Sequence, residues 1–182
     1  MVYEYSFSRQ KVVLTSGKES DYYIDCKQVM LKGKELFCIA CYILQFIRQK
    51  YAQVKAVGGM ALGAVPLAAA VSVLSYESHP FPLASFFVRP EAKGHGTKAR
   101  VEHPGLPAGT PVLVVEDVIT TGGSSLKAIN AAREQGWQVA GVLALVDRQE
   151  GGREAITRAG CVIDAIMTRD DLFALEKIKR TS

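Results

Sequence analysis

No run in this chain has the length of a membrane span. The most hydrophobic, residues 36–47, reaches about half to two-thirds of what a bilayer-crossing helix requires. The first residues, Met1-Val2-Tyr3-Glu4-Tyr5-Ser6, lack the apolar core of a secretory signal. A cytoplasmic protein without a membrane partner is expected. Cysteine is sparse: Cys26, Cys38, Cys41 and Cys161. Cys38 and Cys41 have CxxC spacing, but they lie in an apolar helical pattern with no second pair, so a four-ligand zinc site is excluded. Buried free thiols of a reducing compartment are the expectation. No block of like charge, low-complexity tract or spare helix-turn-helix pattern is present, which leaves nucleic acid without a docking element. No Gly-Lys-Ser/Thr closes a glycine-rich loop, so the chain has no Walker-type phosphate loop. No Ser–His or Cys–His pair suggests covalent catalysis.

What is there suffices for one domain. The chain has 182 residues, 48% hydrophobic and 22% charged, which is ordinary for a globular fold with a substantial core. The net charge of +4 suits a polyanionic small substrate as well as it suits nucleic acid, and decides neither. Helical spacing predicts a helix over 34–50, then 63–75, 126–135, 152–159 and 170–179. Between them, strands are predicted at 22–25, 54–59, 83–88, from 112, at 137–146 and at 161–167. Residues 1–14 show no readable pattern. Strands alternating with helices predict an α/β fold with a doubly wound, mostly parallel sheet. There is no internal repeat and no linker, so residues 1–182 are expected to form a single domain, with residues 1–30 as a small N-terminal flap. The 36–47 helix is apolar enough to be sandwiched or to lie at a subunit contact.

The most informative stretch is Val112-Leu113-Val114-Val115-Glu116-Asp117-Val118-Ile119-Thr120-Thr121-Gly122-Gly123-Ser124-Ser125. Four apolar β-formers read as a buried parallel strand. Two acids follow, then two hydrophobics, then a Thr/Gly/Ser loop leading into a helix. Such a loop wraps an anion: glycine lets backbone N–H groups approach, hydroxyls add donors, and the helix start is electropositive. Carboxylates beside an anion cradle suit sugar hydroxyls, or positive charge developing on a sugar ring. The pattern therefore points to a ligand with both a ribose and a phosphate, at the edge of the sheet where such ligands bind.

A second stretch has neither period. It runs Phe87-Val88-Arg89-Pro90-Glu91-Ala92-Lys93-Gly94-His95-Gly96-Thr97-Lys98-Ala99-Arg100 and carries four fixed cations plus a histidine between glycines. A cation-loaded loop of this kind can close over a polyphosphate and exclude water.

These strings resemble a known family. The 112–125 stretch resembles the phosphoribosyl-diphosphate (PRPP) binding motif of type I phosphoribosyltransferases. The second stretch resembles the mobile catalytic loop of the orotate phosphoribosyltransferases, in which a valine-arginine-lysine and a short spacer precede lysine-x-histidine-glycine-threonine. Three further strings agree. Thr15-Ser16-Gly17-Lys18-Glu19-Ser20-Asp21-Tyr22-Tyr23-Ile24-Asp25 is similar to that family's N-terminal signature. Gly58-Gly59-Met60-Ala61-Leu62-Gly63-Ala64-Val65-Pro66-Leu67-Ala68 is similar to its diphosphate-side loop, and Val146-Asp147-Arg148-Gln149-Glu150-Gly151-Gly152 to the loop with its base-recognising arginine. The resemblance spans residues 15 to about 155.

It implies a type I phosphoribosyltransferase fold and the conversion of PRPP and orotate to orotidine 5′-monophosphate and diphosphate, a step of pyrimidine (UMP) biosynthesis. Glu116 and Asp117 are expected on the ribose hydroxyls. Val118, Ile119, Thr120, Thr121, Gly122, Gly123 and Ser124 are expected around the 5′-phosphate. Arg89, Lys93 and His95 are expected on the diphosphate, within a mobile loop at 89–102, and Thr120 and Arg148 at the orotate. Lys93, His95 and Asp117 are the expected catalytic groups. Mg2+ is expected as cofactor, held mainly by substrate diphosphate and water rather than by a protein cage. A homodimer with shared active sites is expected. Two departures stand out: Pro90 replaces the loop's usual lysine, and the chain begins almost on the first signature, as a shortened form does. The alternatives are a type I enzyme acting on a purine or uracil, an enzyme weakened at Pro90, and a PRPP-sensing regulator that has lost catalysis.

Overall fold

Runs of β-branched and small apolar residues build the centre of the molecule. The computed structural model describes residues 1–13, 19–78, 82–90 and 100–181. The N-terminal part comprises α1 (Val2–Ser6), β1 (Phe7–Ser8), β2 (Val12–Val13), β3 (Glu19–Ser20), β4 (Tyr23–Ile24) and α2 (Lys27–Met30). Then come α3 (Gly33–Lys50), β5 (Ala56–Met60), α4 (Ala64–Ser78), β6 (Ala84–Val88), β7 (Val101–Glu102) and β8 (Pro111–Ile119). The chain ends with α5 (Gly123–Glu134), β9 (Gln138–Asp147), α6 (Gly152–Arg158), β10 (Ile163–Thr168) and α7 (Arg169–Thr181). No helix among the described residues is long and apolar enough to cross a membrane.

Six strands form one sheet in the order β10-β9-β8-β5-β6-β7. All neighbours are parallel except β7, which pairs antiparallel with β6. The chain moves outward from β5 to β7, returns to β8 on the other side of β5, and moves outward again. The switch point lies between β5 and β8, where open sheets of this kind bind ligands.

Strand β8 shows why the run at its start is apolar at every position. Successive side chains point to opposite faces. Leu113 and Val115 join the core under α3 and α4; Val112 and Val114 join the core under α5. With both faces covered, no polar alternation survives. β5 runs to Met60, one residue beyond the predicted end, and is buried throughout. Its glycines serve close approach: a side chain at Gly58 would run into the carbonyl oxygen and ring of Phe86 on β6.

Helix α3 buries one stripe, Ile39, Ala40, Ile43, Leu44 and Ile47, at helical spacing. Its other side is open, and this corrects the expectation of four buried thiols. Cys26 and Cys161 are buried, whereas Cys38 and Cys41 are exposed beside Phe37 and Tyr42 on the face that the sheet does not cover. Residues 1–30, unreadable at their start, form two small antiparallel ladders, β1–β4 and β2–β3, between short helices. Arg9 fastens this part to α7. Its guanidinium pairs with Glu176 (Nη2–Oε2 2.8 Å) and Asp21 (3.0 Å) and lies 4.4 Å from the centre of the Phe173 ring.

Replacing Gly58 with valine tests the close packing of β5 on β6. We expect Gly58→Val to lower stability by about 1–3 kcal/mol or more, read as a fall in the urea midpoint at unchanged slope.

Candidate active site

The site begins where β8 loses a neighbour. The β5 register ends at Gly58↔Val114, whereas pairing with β9 continues to Ile119↔Asp147. The last residues of β8 therefore leave an open edge at the switch point. A cavity of about 460 Å³ lies there, within the range of small-ligand sites. Its wall is formed by residues 117–125, Lys127, Arg148 and, from the flap, residues 23–27.

Beyond Ile119 the chain turns straight into a helix. α5 starts at Gly123, three residues earlier than its apolar periodicity predicts, so Gly123, Ser124 and Ser125 form its first turn. The first intrahelical bond runs from Leu126 N–H to the Gly122 carbonyl (2.9 Å), and no side-chain hydrogen bond caps the helix. The amides of that turn have no intrahelical acceptor, and they carry the positive end of the helix dipole. Gly122 makes the turn possible. Its φ of +81° is left-handed, and the Gly152 backbone lies so close that a Cβ there would stand 3.1 Å from the Gly152 carbonyl oxygen. The anion loop and the loop after β9 thus touch backbone to backbone.

The two acids have different surroundings. Asp117 lines the cavity, and its carboxylate lies where a side chain on Gly63 would collide with it. Glu116 is buried, does not belong to the cavity wall, and accepts a hydrogen bond from the buried Ser125 hydroxyl (2.9 Å). Burial, and then the neighbouring Asp117 charge, push its carboxyl up to about 8.

Arg148, at the other end of the cavity wall, is 2% exposed. Glu150 pairs with its guanidinium at 2.9 Å, and the Tyr22 ring covers it with 4.5 Å to the ring centre. Asp147 holds the turn before Glu150: Oδ1 accepts the Gln149 N–H (2.8 Å) and Oδ2 pairs with Arg153 (3.1 Å).

Of the residues singled out in the sequence, Asp117, Val118, Ile119, Thr120, Thr121, Gly122, Gly123, Ser124 and Arg148 meet around one cavity. Arg89 does not line it; it pairs with Glu102 (3.0 Å) at the sheet edge. Lys93 and His95 lie outside the described residues, as does residues 15–18 of the N-terminal signature. The ends of the second stretch are described. Val101 and Glu102 form β7 rather than continuing an irregular loop, and Arg89 N–H bonds the Arg100 carbonyl (2.9 Å). Sequence reasoning missed Lys27 and Lys127. Lys27 pairs with Asp25 at 3.1 Å in the cavity wall. Lys127 had a signal: a lysine early in a helix with no acid in its first turn reverses the usual dipole pattern.

The raised Glu116 value makes stability depend on pH. A group whose folded value exceeds its unfolded one stabilises fully below the unfolded value and loses that contribution as pH rises through the folded value. Here the window runs from 4.5 to about 8. Glu116→Gln cannot ionise. It should melt with the parent near pH 4.5 and several degrees above it at pH 9, at about 2–4 °C per kcal/mol. Parallel melting curves at both pH values would count against a raised Glu116.

The geometry has relatives. The phosphoribosyl transferase domain family matches residues 32–163. An orotate phosphoribosyltransferase of Sorangium cellulosum is 46% identical over 171 residues, covering 93% of this chain and 88% of the relative. The crystal structure of the Aeropyrum pernix orotate phosphoribosyltransferase superposes with a TM-score of 0.77 at 35% identity, over 96% of this chain and 93% of that one. That of the Mycobacterium tuberculosis H37Rv enzyme in complex with PRPP does so with a TM-score of 0.75 at 32% identity, over 94% and 93%. The α/β architecture is thus the type I phosphoribosyltransferase fold, and the chain belongs to the phosphoribosyltransferase family, on its orotate phosphoribosyltransferase branch.

Proposed function

We propose that this cavity transfers the 5-phosphoribosyl group of PRPP to orotate, giving orotidine 5′-monophosphate and diphosphate, in UMP synthesis. The observation that carries the reading is the arrangement of three groups around one space: the uncapped start of α5, the Asp117 carboxylate and the buried Arg148. The amides and hydroxyls of residues 120–124 hold the 5′-phosphate. Asp117 takes the ribose hydroxyls, and Glu116 backs the loop through Ser125. Arg148 grips orotate, with Thr120 beside it, since a guanidinium fork suits an anionic or carbonyl-bearing edge.

In the reaction the C1′–O bond to diphosphate breaks and diphosphate keeps the electron pair. The ribose gains oxocarbenium character, the orotate ring nitrogen forms the new C1′–N bond, and the proton that nitrogen carried passes to the departing diphosphate. Catalysis rests on positioning and electrostatics. The Asp117 carboxylate lines the cavity, and its negative charge would favour the cationic ring. Asp117 would offer magnesium a carboxylate oxygen, and Mg2+ held mainly by substrate and water would supply neutralising charge for the diphosphate. Lys93 and His95, with Arg89 at the base of their loop, meet the charge on the leaving group.

A second copy of the chain completes the assembly. Phe37 on α3 and Val73 and Tyr76 on α4 are exposed, and an apolar groove runs between these two helices. Such a patch suits a two-fold contact. Phe37→Glu combined with Val73→Glu should sediment as a monomer where the parent sediments as a dimer.

Two measurements test the activity. Incubated with PRPP, Mg2+ and either orotate, uracil, adenine or hypoxanthine, the protein should consume orotate; consumption of a purine instead would overturn the reading. Lys93→Ala should lower turnover by about a hundredfold or more while the KM for PRPP changes little.

A further inference from the structure

We propose that Glu150 and Tyr22 are positioning residues for Arg148, which makes base recognition depend on the seating of the N-terminal flap. The inference rests on the reading of Arg148 as the group that grips the base.

A buried guanidinium presents its N–H donors in a rigid fork, and its direction is set by whichever acceptors it meets first. At Arg148 one edge is taken. Glu150 Oε1 accepts from Nε at 2.9 Å and forms an ion pair with Nη2 at 2.9 Å. One face is taken as well, by the Tyr22 ring. The Tyr22 hydroxyl donates to the same Glu150 oxygen at 2.9 Å, and the Ser20 hydroxyl lies 3.4 Å from Nη2. Arg148 still lines the cavity, and Nη1 is the guanidinium nitrogen that neither Glu150 nor Ser20 engages.

Each partner is itself held. Gln149 adopts a left-handed φ of 57°, and Asp147 accepts its N–H; this tight turn folds Glu150 back onto a residue two positions earlier. Tyr22 is buried, and burial followed by the bond to Glu150 raises its hydroxyl, which stays protonated and donating. Glu150 also compensates the Arg148 charge, which burial would otherwise leave unpaired at high cost. Tyr22 and Ser20 come from the flap, whereas Arg148 and Glu150 follow β9. The clamp therefore joins segments far apart in the chain. With the flap displaced, Arg148 loses its stacking partner and Glu150 loses a donor, and the fork is free to turn.

The test is steady-state kinetics on the full-length protein, with KM measured separately for orotate and PRPP and folding checked by thermal melting. Glu150→Ala should raise the orotate KM by about tenfold, the scale of a misdirected charge-assisted hydrogen bond, and leave the PRPP KM within about twofold. Glu150→Gln keeps an accepting oxygen and should recover most of that loss. Tyr22→Phe should produce a smaller rise in the orotate KM, and its effect should vanish in the Glu150→Ala background, since both act through one oxygen. Should Glu150→Ala fail to fold, Glu150→Gln and Tyr22→Phe carry the test, each with a measurable rise confined to orotate. Equal changes in both KM values, or no change in either, would overturn the proposal. Arg148→Ala separates the two levels. A large rise in its orotate KM with no effect of Glu150 or Tyr22 removes the clamp alone. An unchanged orotate KM removes Arg148 as the base reader and the clamp with it.

Discussion

The constraint on which the rest depends is the unequal pairing of β8. It keeps β9 as a neighbour to its end but loses β5 at Val114. Parallel strands fan apart at a switch point, and the gap is filled by whatever the next turn provides. Here that turn is too short to contain a capping side chain. Gly122 reverses the chain in a left-handed conformation, and α5 begins on the next residue with its first amides uncapped. An uncapped helix start leaves its first amides without a protein acceptor, and an anion can supply the missing acceptors. On the proposed reading, backbone geometry supplies part of the affinity for a phosphate, and the loop's hydroxyls add to it.

The two acids at the same edge have different surroundings. Asp117 lines the cavity, while Glu116 is buried and ties the end of β8 to α5 by accepting the Ser125 hydroxyl. The difference also accounts for their electrostatics: the buried member, close to a second negative charge, holds its proton more tightly.

Much of this was legible in the residues. The apolar run of β8, the helix stripes and the glycine-rich turn follow from periodicity and backbone chemistry, and the doubly wound, mostly parallel sheet follows from the alternation of strands and helices. Three features were not legible. The first turn of α5 contains no apolar residue, so the hydrophobic pattern placed the helix start at Leu126. β7 is two residues long, and its pairing with β6 comes from a register that no local signal encodes. The exposure of Cys38 and Cys41 depends on which side of α3 the sheet covers, and an apolar helix read alone gives both sides the same weight. The flap contacts were hidden for a related reason. Arg9 and Glu176, or Tyr22 and Glu150, are paired across most of the chain, and sequence spacing carries no record of such partners.

Charge compensation within the wall leads to a last step. Lys27 is paired with Asp25, and Arg148 with Glu150. Asp117 and Lys127 then remain in the wall with opposite signs. The described cavity is close to neutral, apart from the dipole at the start of α5. A substrate with a phosphate at one end and a diphosphate at the other carries several negative charges, and a low-dielectric site cannot hold them without counter-charge. On the proposed reading the α5 amides answer the phosphate. The diphosphate must then bring its own cation or receive one from elsewhere in the chain, and the stretch from Arg89 to Arg100, whose two ends are joined by the Arg89–Arg100 backbone bond, carries four fixed cations in its sequence. A wall that is neutral before binding, joined by cations that arrive with the ligand, admits an anion without presenting unpaired buried charge in its absence.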